Sequence, residues 1–135
     1  MITKWQLIDI PTINDSRGDI TVIEEGLNIP FSIKRVFYIH NIPAWSERGG
    51  HTNKQVQELI VAVKGRFKVE LSDARATHDV WMDNPSKGLY IGPMVWRTFK
   101  EYEEDSICLV LASNKYDELD YIRNYDEYRS IMAAK

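Results

Sequence analysis

The stretch RGGHTNKQVQELIVAVKG, residues 48–65, sets a histidine, His51, directly behind two glycines and a glutamate, Glu58, further along the same run. An imidazole and a carboxylate so arranged can do two kinds of chemistry. They can belong to a divalent-metal site, which needs three or four converging N, O or S ligands. Alternatively the imidazole works alone as a proton carrier near neutral pH. The metal reading lacks ligands, because Asn53 offers only a neutral amide oxygen and neither His40 nor His78 stands at a recognisable ligand spacing. Downstream, GLYIGPMVWRTF carries a Gly92-Pro93 turn followed by Arg97, a permanent cation that repels a metal. The residues therefore imply no metal and no cofactor, with His51 as a proton carrier. A His51 that merely satisfies structural hydrogen bonds is the alternative. Arg97 is either a cation inside a pocket or a surface charge, since the alternation in VWRTF does not say which face is inward.

Such groups need a scaffold that faces them toward one another. Short β-rich segments recur about every ten residues between turn residues: WQLIDIP, DITVIEE, SIKRVFYIHNI, QELIVAVKG, RFKVELSD, THDVWMD, GLYIG, VWRTFKEY and SICLVLAS. Gly65, in KGR between LIVAV and FKVEL, predicts a tight hairpin that lays those two strands side by side. Only YDELDYIRNYDEYRSIM shows apolar and aromatic residues at helical spacing. The pattern predicts an all-β jelly-roll barrel of eight to ten strands with a short C-terminal helix, one domain over residues 1–135, and a ligand cavity inside.

Composition narrows the partners. The chain has 135 residues, 44% of them hydrophobic, enough for one core and too few for two domains of ordinary size. A net charge of -3 with mixed acids and bases offers no basic stripe, which argues against nucleic acid while leaving a small anionic ligand held by a few arginines. Cys108, inside SICLVLAS, excludes an intrachain disulfide, predicts a buried unreactive thiol and suits a reducing cytoplasm. MITKWQLIDIP lacks the apolar core of a signal peptide, and no window is apolar enough for a membrane span. A cytoplasmic protein without membrane contact is expected.

The layout of His51, Asn53, Glu58 and Gly65, with the later Gly92-Pro93 turn, resembles the two motifs of the cupins with Asn53 and Arg97 where metal-binding members carry histidines. More specifically, DSRGDITVIEE, NIPFSIKRVFYI, RGGHTNKQVQELIV, GLYIGPMVW and LVLASNKYDELDYIRNYDEY resemble, in collinear order, the sugar-nucleotide 3,4-ketoisomerases acting on dTDP-4-keto-6-deoxy-D-glucose. The resemblance implies a cytoplasmic homodimer of cupin-type jelly rolls with exchanged N-terminal strands, no metal, and an active site inside each barrel. It implies an isomerase whose dTDP-3-keto-6-deoxyhexose product feeds a 3-amino-sugar pathway for a lipopolysaccharide or S-layer glycan. Carried across residue by residue, His51 is the catalytic base that moves a proton from C3 to C4 through an enediol. The family's second histidine has no counterpart, because Asn53 stands there.

Substrate contacts are expected from Arg17, Arg97 and Asn53 near C4, from Arg35 and Arg48 at the diphosphate, and from Tyr38 at the sugar or base. Trp96 is a further aromatic candidate, with core packing as the alternative for both aromatics. The resemblance implies that Arg with His at the two positions near C4 accompanies galacto products and that Tyr with Arg accompanies gluco products. This chain pairs Arg17 with Arg97, and the reading leans to the gluco product. A non-catalytic nucleotide-sugar-binding cupin and a dTDP-sugar 3,5-epimerase are the alternatives.

Overall fold

The computed structural model describes residues 4–135. The first strands are β1 (Trp5–Asp9), the short hairpin β2 (Thr12–Ile13) and β3 (Ile20–Thr21), then β4 (Arg35–Ile39) and β5 (Arg48–Asn53). They are followed by β6 (Glu58–Lys64), β7 (Phe67–Ser72), β8 (Thr77–Met82), β9 (Lys87–Ile91), β10 (Trp96–Lys100) and β11 (Ile107–Ala112). A 3-10 turn at Glu118–Asp120, the short β12 (Tyr121–Ile122) and one helix, α1 (Tyr125–Ala133), complete the chain. The strands form two five-stranded antiparallel sheets, β1-β9-β6-β11-β4 and β12-β5-β10-β7-β8. The expected all-β jelly roll with a short C-terminal helix is what the sequence folds into.

One apolar cluster joins the inner faces of the sheets, with Ile60, Ala62, Leu89, Ile91, Cys108 and Val110 from the first against Phe67, Val69, Leu71, Met82 and Phe99 from the second. The run LIVA at the start of LIVAV is apolar throughout because β6 is covered on both sides there: Leu59 and Val61 turn the other way, into a second cluster with Ile10, Ile29, Phe31 and Tyr90, while Val63 is exposed. Cys108 is fully buried, and burial pushes its thiol up to about 12, well outside the reactive range. No described helix is long and apolar enough to cross a membrane.

Three expectations differ from the structure. Gly65 does turn the chain, at φ +78°, yet β6 and β7 are not hydrogen-bonded neighbours. The turn instead hands the chain from one sheet to the other. It is seated on Ser106, whose Oγ accepts the Arg66 N–H at 3.1 Å, and β11 and β9 flank β6 where a hairpin partner was expected. A Cβ at Gly65 would lie 2.4 Å from Ser106 Oγ and 2.8 Å from its Cα. Gly65→Ala should therefore lower stability by about 2 kcal/mol or more, from left-handed backbone strain together with the clash, as read in a urea unfolding curve. Second, DITVIEE contributes only Ile20–Thr21, whereas β5, absent from the expected strands, is a central element. Third, the helix begins at Tyr125, capped by Asn124 Oδ1 on the Glu127 N–H, and the preceding residues are drawn off to pair with β5.

Candidate active site

Two glycines decide where His51 points. Gly49 and Gly50 both have left-handed backbone, φ +82° and +64°, and the register between β10 and β5 slips there. Arg97 lies opposite His51 and Thr98 opposite Gly49, so Gly50 is the extra residue of a β-bulge, a device that re-aims the neighbouring side chain. A Cβ on Gly49 would sit 2.9 Å from the Arg97 carbonyl oxygen, so the close approach of these strands requires glycine. Directly opposed residues share one face of a sheet, which brings the imidazole and the guanidinium together.

Arg97 is 0% exposed. Its Nε donates to the Val95 carbonyl at 3.2 Å, and its Nη1 donates to Asn53 Oδ1 at 2.7 Å and to Glu58 Oε1 at 2.9 Å. Its Nη2 is buried and has no partner, and the same is true of His51 Nδ1. Asn53, also fully buried, donates its Nδ2 to Asp120 Oδ2 at 3.2 Å. Asp120 in turn accepts the Gln55 N–H at 2.9 Å and the Val56 N–H at 3.2 Å. A buried charge needs a counter-charge and satisfied hydrogen bonds; Arg97 has both on one side and free donors on the other.

The wall beside His51 is aromatic. Tyr121, opposite Asn53 in β12, lies 4.9 Å from the imidazole, centroid to centroid. Arg123 sits 4.4 Å over the Tyr121 ring and is held by Glu118 at 2.8 and 3.1 Å. Tyr116 donates to the same carboxylate and lies 5.8 Å from Tyr121. Arg35 follows, 5.6 Å over Tyr116 and 5.3 Å over Phe37, with Nε and Nη2 buried and without partners.

Burial first, then the neighbouring Arg97 cation, lowers the His51 pKa from 6.5 to about 3, so the imidazole is neutral across the physiological range. Burial likewise pulls Arg97 down while the Glu58 carboxylate holds it up; a guanidinium remains a cation throughout. Lowering the pH from about 6.5, where the unfolded chain's His51 takes up a proton, to about 3, where the folded one does, makes unfolding bind a proton. Stability should therefore fall through that window, by at most about 1.4 kcal/mol per pH unit for one group. His51→Asn should flatten this loss in melting curves, and kcat/KM should show no ionisation of free His51 near pH 6.5.

The structure brings His51, Asn53 and Arg97 together and sets Arg35 along the same aromatic wall. Arg48 opens β5 and is exposed. Arg17 lies in the exposed turn between β2 and β3, its side chain 87% exposed and paired with Asp15 at 2.9 Å; it is not brought to His51 within the chain. Tyr38 is 62% exposed on the face of β4 opposite Arg35 and Phe37, beside His40. Trp96 packs against Tyr125 and Tyr128, and His78 lies against Trp5, all away from the imidazole. Asp120 and Tyr121 were not among the expected site residues. Their signal was present in LASNKYDELDYIRNYDEY, a block too specific in its charged and aromatic residues for a mere packing helix. Among the described residues no group of three or more His, Cys, Asp and Glu side chains converges as a metal site; the Glu58 carboxylate is taken by Arg97. This donor set does not fit the metal of the metal-binding cupins.

The family model described as "FdtA: WxcM-like, C-terminal" matches residues 3–133. The TDP-4-oxo-6-deoxy-alpha-D-glucose-3,4-oxoisomerase of Aneurinibacillus thermoaerophilus is 41% identical over 128 residues, covering 95% of this chain and 92% of that protein. The chain belongs to the sugar-nucleotide 3,4-ketoisomerase family. A solved member of this ketoisomerase family is QdtA from Thermoanaerobacterium thermosaccharolyticum, in a histidine-to-asparagine variant bound to TDP-4-keto-6-deoxyglucose. It superposes with a TM-score of 0.96 at 38% identity, covering 100% of this chain and 98% of its own. Another ketoisomerase, the TDP-quinovose 3,4-ketoisomerase WlaRB from Campylobacter jejuni, superposes with a TM-score of 0.91 at 34% identity, covering 96% of this chain and 99% of its own.

Proposed function

We propose that the protein isomerises TDP-4-keto-6-deoxyglucose to a TDP-3-keto-6-deoxyhexose, without a metal, by proton transfer at His51. One observation carries the reading: His51 and Arg97 are direct cross-strand neighbours inside the barrel, and each keeps a buried nitrogen with no protein partner. A neutral imidazole removes the C3 proton, which the adjacent C4 ketone acidifies, and the C3=C4 enediolate forms. The Arg97 guanidinium steadies the developing oxygen charge in a site of low dielectric. Protonation at C4, with the O3 proton passing to O4, leaves the ketone at C3 and balances the reaction. Arg97 stabilises this anion and adds to burial, the larger cause, in keeping the resting imidazole unprotonated, which fits one residue to two parts of the cycle.

The diphosphate is assigned to Arg35, whose buried unpartnered N–H groups suit phosphate oxygens, and to Arg48 at the rim. In a homodimer with exchanged N-terminal strands, Arg17 would be delivered to the neighbouring barrel, near C4. In the gluco series the C3 and C4 hydrogens lie on opposite ring faces, so His51 cannot serve both, and an ordered water or a ring flip completes the second transfer. With Arg97 in place of a histidine, the gluco product is the proposed outcome. The protein would act as one domain in the cytoplasm, ahead of an aminotransferase.

Incubation with TDP-4-keto-6-deoxyglucose in deuterated water, followed by NMR, tests the reading. The expected result is a new 3-keto sugar with deuterium at C4 and, in ordinary water, the large H4–H5 coupling of a gluco ring. Deuterium at C5 would assign a 3,5-epimerase instead, and binding without exchange would assign a non-catalytic cupin. Activity that vanishes on chelation and returns with zinc would overturn the metal-independent mechanism.

A further inference from the structure

We propose that Asp120 is a positioning residue that, through the Asn53 amide, fixes the Arg97 guanidinium so that its Nη2 donors stay free for the substrate. A guanidinium has five N–H groups in a rigid fork. Here Nε is taken by the Val95 carbonyl, and Nη1 donates to Asn53 Oδ1 at 2.7 Å and to Glu58 Oε1 at 2.9 Å. Only the Nη2 pair is left. That division holds only while the Asn53 oxygen, and not its NH2 group, faces Arg97. The two ends of an amide are alike in shape, so what decides is the partner at the far end. That partner is the Asp120 carboxylate, an acceptor only, 3.2 Å from Asn53 Nδ2. A flipped amide would set its NH2 against the guanidinium and its oxygen against the carboxylate, leaving four polar groups mismatched, with those of Asn53 and Arg97 buried.

Asp120 is itself anchored. Its carboxylate accepts the Gln55 and Val56 N–H groups at 2.9 and 3.2 Å, and its carbonyl accepts the Lys54 N–H at 2.8 Å. The Asn53 carbonyl is held too, by the Met94 N–H at 2.8 Å. The chain Asp120, Asn53, Arg97, Glu58 therefore alternates acceptor and donor without a break, from the C-terminal segment to the barrel interior. Glu58 fixes one Nη1 hydrogen, and Asp120, acting at one remove, fixes the other.

The inference rests on the reading of Arg97 as the group that steadies the substrate oxygens, and the test separates the two. Asp120→Asn and Asn53→Ala are compared singly and together, with kcat and KM for TDP-4-keto-6-deoxyglucose and the NMR titration of the His51 imidazole. Each single variant should lose kcat about tenfold with KM within about twofold, and the double variant should be no worse than Asn53→Ala, because both cut one relay. Additive losses of about a hundredfold, or wild-type kcat in either single variant, would overturn the proposal. His51 should titrate higher in Asp120→Asn, which keeps the Asn53 side chain beside the imidazole while Arg97 leaves its place; an unchanged midpoint in that variant also overturns the proposal. If Asp120→Asn does not fold, Asn53→Ala alone decides, since it leaves Asp120 on the Gln55 and Val56 amides. A wild-type protein inactive on this sugar would sink the substrate reading only, and the His51 titration would then judge the relay.

Discussion

His51→Asn is expected to abolish ketone migration while leaving the fold and the binding of TDP intact. Asparagine keeps much of the polar volume of imidazole and loses its basicity, and a positioned general base contributes about 10²–10⁴-fold to a proton transfer. The native imidazole makes no hydrogen bond at Nδ1, so no protein donor or acceptor there is orphaned by the change. The Tyr121 ring loses its neighbour at 4.9 Å, which should cost no more than about 1 kcal/mol. Turnover by NMR, solvent deuterium at C4 and calorimetric binding of TDP form the measurement. A variant that keeps most of its activity, or one that loses binding in proportion, would show that His51 is not the base.

The second large effect is at Arg97. Arg97→Met removes the only cation in contact with Glu58 among the described residues and leaves that buried carboxylate alone. Breaking a buried pair from one side costs about 3–5 kcal/mol. Adding Glu58→Gln to Arg97→Met should recover most of the stability, since replacing both partners removes the uncompensated charge. It should not recover kcat, which is expected to stay down about 10²–10³-fold for loss of oxyanion support. Denaturant unfolding and kcat measured on the same three proteins give the two readouts. A double variant active at the wild-type rate would remove Arg97 from the chemistry.

Much of this was legible in the chain. The spacing of β-rich runs carried the architecture because an antiparallel barrel writes its strands as short apolar segments between turns. His51 and Arg97 stood out because their types, unlike the apolar residues around them, demand a partner. What stayed hidden was pairing. RGGHTN does not read as a strand, since Gly49, Gly50 and Asn53 carry little β-propensity and no apolar residue marks a buried face; only its position between β10 and β12 makes it one. Gly65 announced a turn but not which sheet would receive the chain after it. The helical spacing around Asp120 and Tyr121 was real, yet local propensity lost to the hydrogen bonds that β5 and the Gln55–Val56 turn offered. Arg17 stood out by its place in the family resemblance and Tyr38 by its type, and the placement of both depends on what lies across from them.

The order of strands within the two sheets also bears on when the protein can become active. β11 lies between β6 and β4, and β12 flanks β5, so both sheets stay incomplete until the last quarter of the chain is present. Among the described residues the adjacent-in-sequence pairs are only β2 with β3 and β7 with β8; every other ladder joins segments far apart along the chain. Such non-local contacts fold late and slowly, on the order of milliseconds to seconds. During synthesis on the ribosome, His51 emerges well before Asp120 and Tyr121, so the imidazole gains its Tyr121 neighbour and Asn53 its Asp120 partner only once the C-terminal segment has joined β5.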